Sequence, residues 1–304
     1  MDIGFITVAT AESGDLAELA RAVEAIGYES LWIPEHPVIP INLKTAFPFS
    51  PDHKLPEHYG RWLDPFIALT VAASATKRIK LGTCICLLPE REPLITAKII
   101  ASLDYYSGGR LILGVGAGWL KEETEVMGTR FGVRWKRARE TIEAMRVLWT
   151  KDEATYEGEL IRFPPVRCDP KPLQKPYPPA LLGAHGPKAL ERVARTYDGW
   201  IPLTDNPEEI GRDVATIRKL AKEYGRNPDS IQISVLADPH GTVPSKDELK
   251  RYRDAGVTRV VLFSQKDVAE TADGGALALD GDLDLLGEGC TEHHCLPLSN
   301  TRHV

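Results

Sequence analysis

Apolar residues along the chain fall into short runs of two kinds, and the two kinds alternate. GFITVA (4–9) is short and β-branched, and over 16–25 the apolar residues recur at helical spacing. SLWIP (30–34) predicts a buried strand. A helix over 64–74 follows, with Asp64 as N-cap and Pro65 in its first turn. IKLGTCICLL (79–88) predicts a third strand, 93–105 a third helix, and RLILGVGAG (110–118) a fourth strand that ends in glycines. Residues 137–149 are amphipathic, with Ala138, Ile142, Met145, Val147 and Trp149 set among charges.

The rhythm breaks over 151–179, which hold seven prolines and no helical period; ATYEGELIRF predicts a hairpin there. It resumes with PALLGA (179–184), a helix over 187–196, GWIPL (199–203) and a helix over 207–224 closed by Gly225. IQISVLA (231–237), a helix over 246–255 and RVVLF (259–263) complete the series. Continuous apolar strands alternating with helices predict an α/β protein with parallel, helix-covered strands. Eight such units favour a closed (β/α)8 TIM barrel over an open doubly wound sheet. The expected domain is a single barrel over 1–289, with excursions at 37–60 and 151–179 and a flexible tail at 290–304. Its eighth helix should be degenerate, because DVAETADGGALALDGDLDLLGEG is broken by glycines.

Composition works by exclusion. The 304 residues carry 43 acidic and 37 basic side chains, a net charge of −6, with no basic stripe, so nucleic acid is not an expected partner. Residues 264–304 contain eight acidic and two basic side chains, which leaves residues 1–263 formally neutral. No apolar run approaches the ~18 residues of a membrane span. MDIGFITVAT has no cationic stretch ahead of an apolar core, so the expected location is cytoplasmic. Five cysteines (Cys84, Cys86, Cys168, Cys290 and Cys295) without framework spacing read as reduced thiols.

A barrel places its chemistry at the C-terminal ends of its strands. That rule selects Glu35 and His36 after the second strand, then a long loop carrying His53, His58 and Tyr59. It also selects Cys84, Ile85 and Cys86 after the third strand and Gly114, Gly116, Ala117, Gly118 and Trp119 after the fourth. After the fifth come Gly183, Ala184, His185 and Gly186. An imidazole at such a position moves protons near neutral pH, tuned by a neighbouring carboxylate. The small residues before the helix that opens at Pro187 suit either a tight turn or an anion cradled by backbone amides, and Lys188 could add charge. Cys84 and Cys86 read as buried apolar groups whose thiols diverge. Trp119, Trp135 and Trp149 read first as packing residues. GVGAGW lacks the last glycine of a dinucleotide fingerprint, and neither a P-loop nor a nucleophile elbow occurs. Glu35, His36, His53 and His58 match no zinc spacing. Near the end, Asp280, Asp282 and Asp284 fall short of a calcium loop, and Cys290, His293, His294 and Cys295 are crowded for zinc. No metal is expected.

Five blocks in order now resemble one family: SLWIPEHPVIP, LGTCICLLPEREPLITAK, GGRLILGVGAGWLKEE, RARETIEAMRVLWT and PALLGAHGPKALERVARTYDGWIP. Together, over about residues 1–263, they are similar to the bacterial-luciferase-like oxidoreductases, and more closely to the branch that uses the deazaflavin coenzyme F420. The resemblance implies a cofactor across the barrel mouth. Glu35 and His36 would lie beside its ring. A bulge at Cys84–Ile85, often containing a non-prolyl cis peptide, would support its back face. Gly116 and Ala117 would line the site, Gly183, Ala184, His185 and Gly186 would hold the phosphate, and Trp119 would face the substrate. Sugar-phosphate dehydrogenases of this branch carry Glu where Trp119 stands, and some monooxygenases carry a second His where Pro37 stands. The expected activity is hydride transfer between coenzyme F420 and a small organic substrate, with His36 moving the proton and Glu35 orienting it. An FMN-dependent monooxygenase is the alternative, and a metal-dependent hydrolase or isomerase, or a cofactor-binding protein without catalysis, stands behind it. A homodimer is the assembly the resemblance implies.

Overall fold

The computed structural model describes residues 1–263 except Phe49 and 238–242. The expectations for the eighth helix, the acidic triplet, the Cys/His cluster and the tail lie outside the described residues. In chain order the strands are β1 (Asp2–Ile6), β2 (Ser30–Ile33), β3 (Lys80–Leu87), β4 (Leu111–Gly116), β5 (Ala154–Glu157), β6 (Arg162–Val166), β7 (Ala180–Gly183), β8 (Gly199–Ile201), β9 (Gln232–Leu236) and β10 (Arg259–Phe263). The helices are α1 (Leu16–Ile26), α2 (Pro65–Ala75), α3 (Pro93–Ser107), α4 (Lys121–Val126), α5 (Arg134–Thr150), α6 (Pro187–Thr196), α7 (Pro207–Glu223) and α8 (Lys246–Asp254). Eight strands close into a parallel barrel in the order β1-β10-β9-β8-β7-β4-β3-β2, and β5 and β6 form the separate antiparallel hairpin expected within 151–179. The fold is the (β/α)8 barrel.

Local signals set the element ends. Asp64 caps α2 by accepting from the amides of Phe66 and Ile67, and Asp15, Asn206 and Ser245 do the same work at α1, α7 and α8. Two elements differ from the sequence reading. β1 lies at 2–6 rather than 4–9, because its ladder is set by β10, with Asp2 opposite Arg259 and Ile6 opposite Phe263. The six-residue α4 was not expected, since KEETEV carries no apolar period.

The barrel floor is sealed. Arg259, 3% exposed, donates from Nε and Nη2 to the two oxygens of Glu29 at 2.8 Å each and from Nη1 to Ser234 at 2.9 Å. Burial pushes the Glu29 carboxyl up, but Arg259 outweighs it and holds the group at about 2. Above this layer Trp32 fills the barrel axis with Ile6, Cys84, Ile112, Leu181, Ile201 and Val261, and its Nε1 donates to Ser30 Oγ at 2.7 Å. Gly4 and Gly82 make room for the indole; a Cβ on Gly82 would fall inside its ring system. With the floor closed and the axis packed, the strand C-termini are left as the working face.

β3 is irregular where the site begins. Its pairing with β4 runs regularly to Thr83 opposite Leu113 and resumes at Cys86 opposite Val115. Cys84 and Ile85 therefore form a bulge, and the peptide between them is cis. In a regular strand residues 84 and 86 would share a face. The bulge separates them, sending Cys84 into the barrel cluster and Cys86 into the strand–helix layer.

Candidate functional site

His36 follows β2 by three residues and reaches the barrel mouth with its side chain 6% exposed. Its Nδ1 lies 2.7 Å from Glu123 Oε2 on α4. Because a carboxylate accepts, that contact fixes the proton on Nδ1 and leaves Nε2, which has no hydrogen bond to a described residue, as the nitrogen free to exchange. Three aromatic rings enclose the imidazole, with centroids at 5.3 Å (Tyr59), 5.1 Å (Trp62) and 5.9 Å (Trp119). Phe47 packs behind Tyr59 and Trp119. Burial raises the Tyr59 hydroxyl, so it stays protonated in this cage. The Nε1 of Trp62 is buried without a partner among the described residues.

The loop that carries Phe47 and Tyr59 is held by the neighbour of Glu123. Glu122 accepts from the amides of Lys44 at 2.8 Å and Thr45 at 3.1 Å, and from the Thr45 hydroxyl at 2.7 Å. Burial pushes its carboxyl up, and these donors together outweigh it and hold it at about 2. Consecutive glutamates of one short helix thus anchor the loop and the histidine.

Glu35 does not orient His36. One oxygen of its carboxylate accepts from the Leu87 amide at 2.7 Å and the other from Arg91 Nε at 2.5 Å, and Arg91 also bridges to Asp64. The orienting role falls to Glu123, and Glu35 instead ties β2 to the turn after β3. Ile85 projects from the bulge over Gly116 and Gly183, where a Cβ on Gly183 would collide with it. Cys84 and Cys86 are buried, and desolvation pushes the Cys84 thiol to about 12, so neither is a nucleophile near neutral pH. After β7, Ala184 is buried and its carbonyl accepts from Trp200 Nε1 at 2.8 Å, while His185 and Lys188 are exposed. Gly186, at φ +85°, precedes α6, which has no side-chain cap. Pro187 has no N–H and the Ala189 and Leu190 amides donate to the Gly186 carbonyl at 2.8 and 3.2 Å, which leaves the Lys188 amide for another acceptor.

The structure gathers His36, Glu35, Ile85, Gly116, Ala117, Trp119 and the Gly183–Gly186 turn at one end of the barrel. His53, at φ 56°, serves a turn of the loop, with its amide donating to the Ser50 carbonyl and its ring 3.1 Å from the Phe47 carbonyl. His58 stacks on the outer side of Tyr59 and Trp62. Trp149 packs in the core with Nε1 on the Ala97 carbonyl, and Trp135 carries Arg192 over its ring. Among the described residues no group of three or more His, Cys, Asp or Glu is arranged to hold a metal, and no helix is long and apolar enough to cross a membrane. Sequence reasoning missed Glu123, Trp62, Phe47 and Arg91. The only signal for Glu123 was its place in the WLKEE segment directly after the glycine-rich end of β4.

A closed parallel barrel with a carboxylate-fixed histidine in an aromatic cage at its mouth places the chain among the (β/α)8-barrel proteins. Within that class, the chain belongs to the luciferase-like monooxygenase family, whose sequence profile matches residues 3–277. It is 39% identical over 255 residues to an uncharacterised protein of Mycobacterium tuberculosis (strain H37Rv), a match covering 83% of this chain and 87% of that protein. In fold it is similar to an F420-dependent secondary alcohol dehydrogenase solved with an F420-acetone adduct, with TM-score 0.71, 20% identity, and coverage of 90% of this chain and 96% of the other. It is also similar to the oxygenating constituent of 3,6-diketocamphane monooxygenase of Pseudomonas putida, solved with FMN, with TM-score 0.60, 18% identity, and coverage of 77% and 66%. The same barrel is thus found with F420 in one neighbour and with FMN in another.

Proposed function

We propose that the protein transfers a hydride between coenzyme F420 and a small organic substrate, a carbonyl compound or its alcohol, with His36 moving the accompanying proton at Nε2. The carrying observation is the His36–Glu123 pair: one nitrogen is fixed by a buried carboxylate and the other is unpaired at the barrel mouth. The residues present fit a deazaflavin. Ile85 offers an apolar floor over Gly116 and Gly183, and the start of α6 offers the Lys188 amide to a phosphate. The unpaired Nε1 of Trp62 is a donor for a carbonyl oxygen of the ring or the substrate, and burying it unmet costs ~1–3 kcal/mol. When bound, the deazaflavin supplies the carbon that gives or takes the hydride. The chain's own work is to orient the imidazole through Glu123, exclude water with Tyr59, Trp62 and Trp119, and exchange one proton at His36 Nε2. The fold neighbour holding an F420-acetone adduct supports a small carbonyl substrate.

The test is a binding titration of purified protein against coenzyme F420 and FMN, followed by turnover of His36→Ala. The expected result is saturable F420 binding. Turnover should fall ~10²–10⁴-fold in the variant, with F420 affinity within a few-fold of the parent. Oxygen uptake with reduced FMN would establish the monooxygenase reading instead. Binding of neither cofactor would end both.

A further inference from the structure

Beneath the His36–Glu123 pair lies a second acidic side chain that the reading above does not use. Glu90 ends the 3₁₀ turn Leu88–Glu90 that follows β3, and it is 3% exposed. The turn is held rigidly, since the Thr129 hydroxyl donates to the Pro89 carbonyl at 2.6 Å and Arg137 to the same oxygen at 3.2 Å. Three buried carboxyls therefore meet here: Glu35, Glu90 and Glu123. The cations are already assigned. Arg91 is committed to Glu35 and Asp64, His36 to Glu123, and Arg134 to the carbonyls of Gly118 and Phe131.

Hydrogen-bond counting then singles out Glu90. Its Oε1 lies 2.8 Å from the Thr124 hydroxyl, which also lies 3.1 Å from the Leu120 carbonyl. One hydroxyl proton cannot serve both acceptors. Glu90 Oε2 and Glu123 Oε1 are both buried with no donor among the described residues. An ionised Glu90 would add a second negative charge within reach of Glu123 in a desolvated site, with no cation of its own, and proteins avoid that arrangement by protonating one carboxyl. A proton on Glu90 Oε1 settles the conflict at Thr124, because Glu90 then donates to Thr124 and Thr124 donates to Leu120, and it removes the second charge from the site.

We propose that Glu90 is a proton-holding positioning residue: neutral, it lets Glu123 alone carry the charge that fixes His36, and its ionisation undoes that arrangement. Burial first, and then the charge of Glu123 with a smaller share from Glu35, push the Glu90 carboxyl up to about 8, against the opposing pull of Thr124 and Arg91. Glu90 also lines a cleft of about 290 Å³ whose other charged groups are Arg91, Asp64 and Glu92. The consequence for the proton step rests on the hydride-transfer reading, but the protonation of Glu90 does not.

The experiment is a pH titration of the full chain without cofactor, following glutamate side-chain carboxyl carbons by 13C NMR and the His36 ring nitrogens by 15N NMR. One carboxyl should titrate near pH 8 and disappear in Glu90→Gln. The His36 ring signals should move over the same pH range in the parent and stay still there in the variant. The melting temperature gives a second readout. A carboxyl held up to about 8 binds a proton that the unfolded chain has already released, so stability should fall as pH rises from about 4.5 to 8, and Glu90→Gln should flatten that fall. If Glu90→Gln does not fold, Glu123→Gln removes the neighbouring charge that pushes the Glu90 carboxyl up and should move its titration to lower pH. A Glu90 carboxyl titrating in the ordinary range, or a His36 response unchanged in Glu90→Gln, would overturn the proposal. The titration seen without any F420 binding would leave Glu90 assigned and remove only the hydride reading.

Discussion

Glu122 and Glu123 are chemically identical neighbours, and their surroundings give them separate tasks. Glu123 is buried against a histidine, where its charge has a single partner. Glu122 sits nearer solvent and gathers three donors from the loop at Lys44 and Thr45. Hydrogen bonds to an ionised acceptor are stronger than neutral ones, so charge matters more here than shape. Glu122→Gln keeps the shape and removes the charge, and amide exchange at Lys44 and Thr45 should accelerate on the order of tenfold. Because the folded carboxyl is held down at about 2, the anchoring is present at neutral pH and fades only as pH falls below the ordinary glutamate range toward 2. Exchange measured by NMR at pH 7 and pH 3 checks both statements. Equal protection in parent and variant at pH 7 would show that the loop is held by its aromatic packing alone.

At the scale of elements, the barrel depends on a close fit between β1, β2 and β3. Trp32 occupies the axis because Gly4 and Gly82 leave it free. Gly82→Ala has no space into which the indole can move, since Trp32 is fully buried among barrel residues, and such overpacking costs ~1–3 kcal/mol or more. Gly132→Ala, where no atom lies within 4 Å of the added carbon and φ is not in the left-handed range, is the matched control and should stay within ~0.5 kcal/mol. Denaturant unfolding of the two variants should separate them clearly. The strand–helix alternation that builds this barrel was legible because buried parallel strands and amphipathic helices have different periods, and caps such as Asp64 mark where one yields to the other. The boundaries of α6 and β10 could be read directly. What escaped was set by contacts between distant segments. The register of β1 depends on β10, and KEETEV reads as a solvated charge run until the fold places its glutamates against His36 and the loop at Thr45. Glu35 illustrates the same limit: its adjacency to His36 suggested a shared task, yet successive side chains point apart, and its partner Arg91 comes from 56 residues away.

At the scale of the whole molecule, charge and apolar surface are distributed unevenly. The net charge of −6 belongs to residues 264–304, while residues 1–263 carry 35 acidic and 35 basic side chains. An anionic cofactor of the kind proposed would therefore meet residues 1–263 without net repulsion, and local amides and dipoles would decide its place. On the outside, α2 has no charged residue along its 11 residues. α1 and α3 pack against its flanks, and its outer face shows Ile67, 65% exposed, and Val71 one turn later, with exposed Leu63 just before the helix. Brought across a two-fold axis, a stripe without charge would meet its own copy without electrostatic penalty, which is what an isologous interface requires. We propose that two copies pair through α2. Sedimentation equilibrium should show a dimer for the parent and a monomer for the double variant Ile67→Glu, Val71→Glu, which places like charges across the axis. Both substitutions lie on the exposed face, so the variant should keep the circular dichroism of the folded barrel. A parent that is monomeric at micromolar concentration, or a double variant that stays dimeric, would rule this face out.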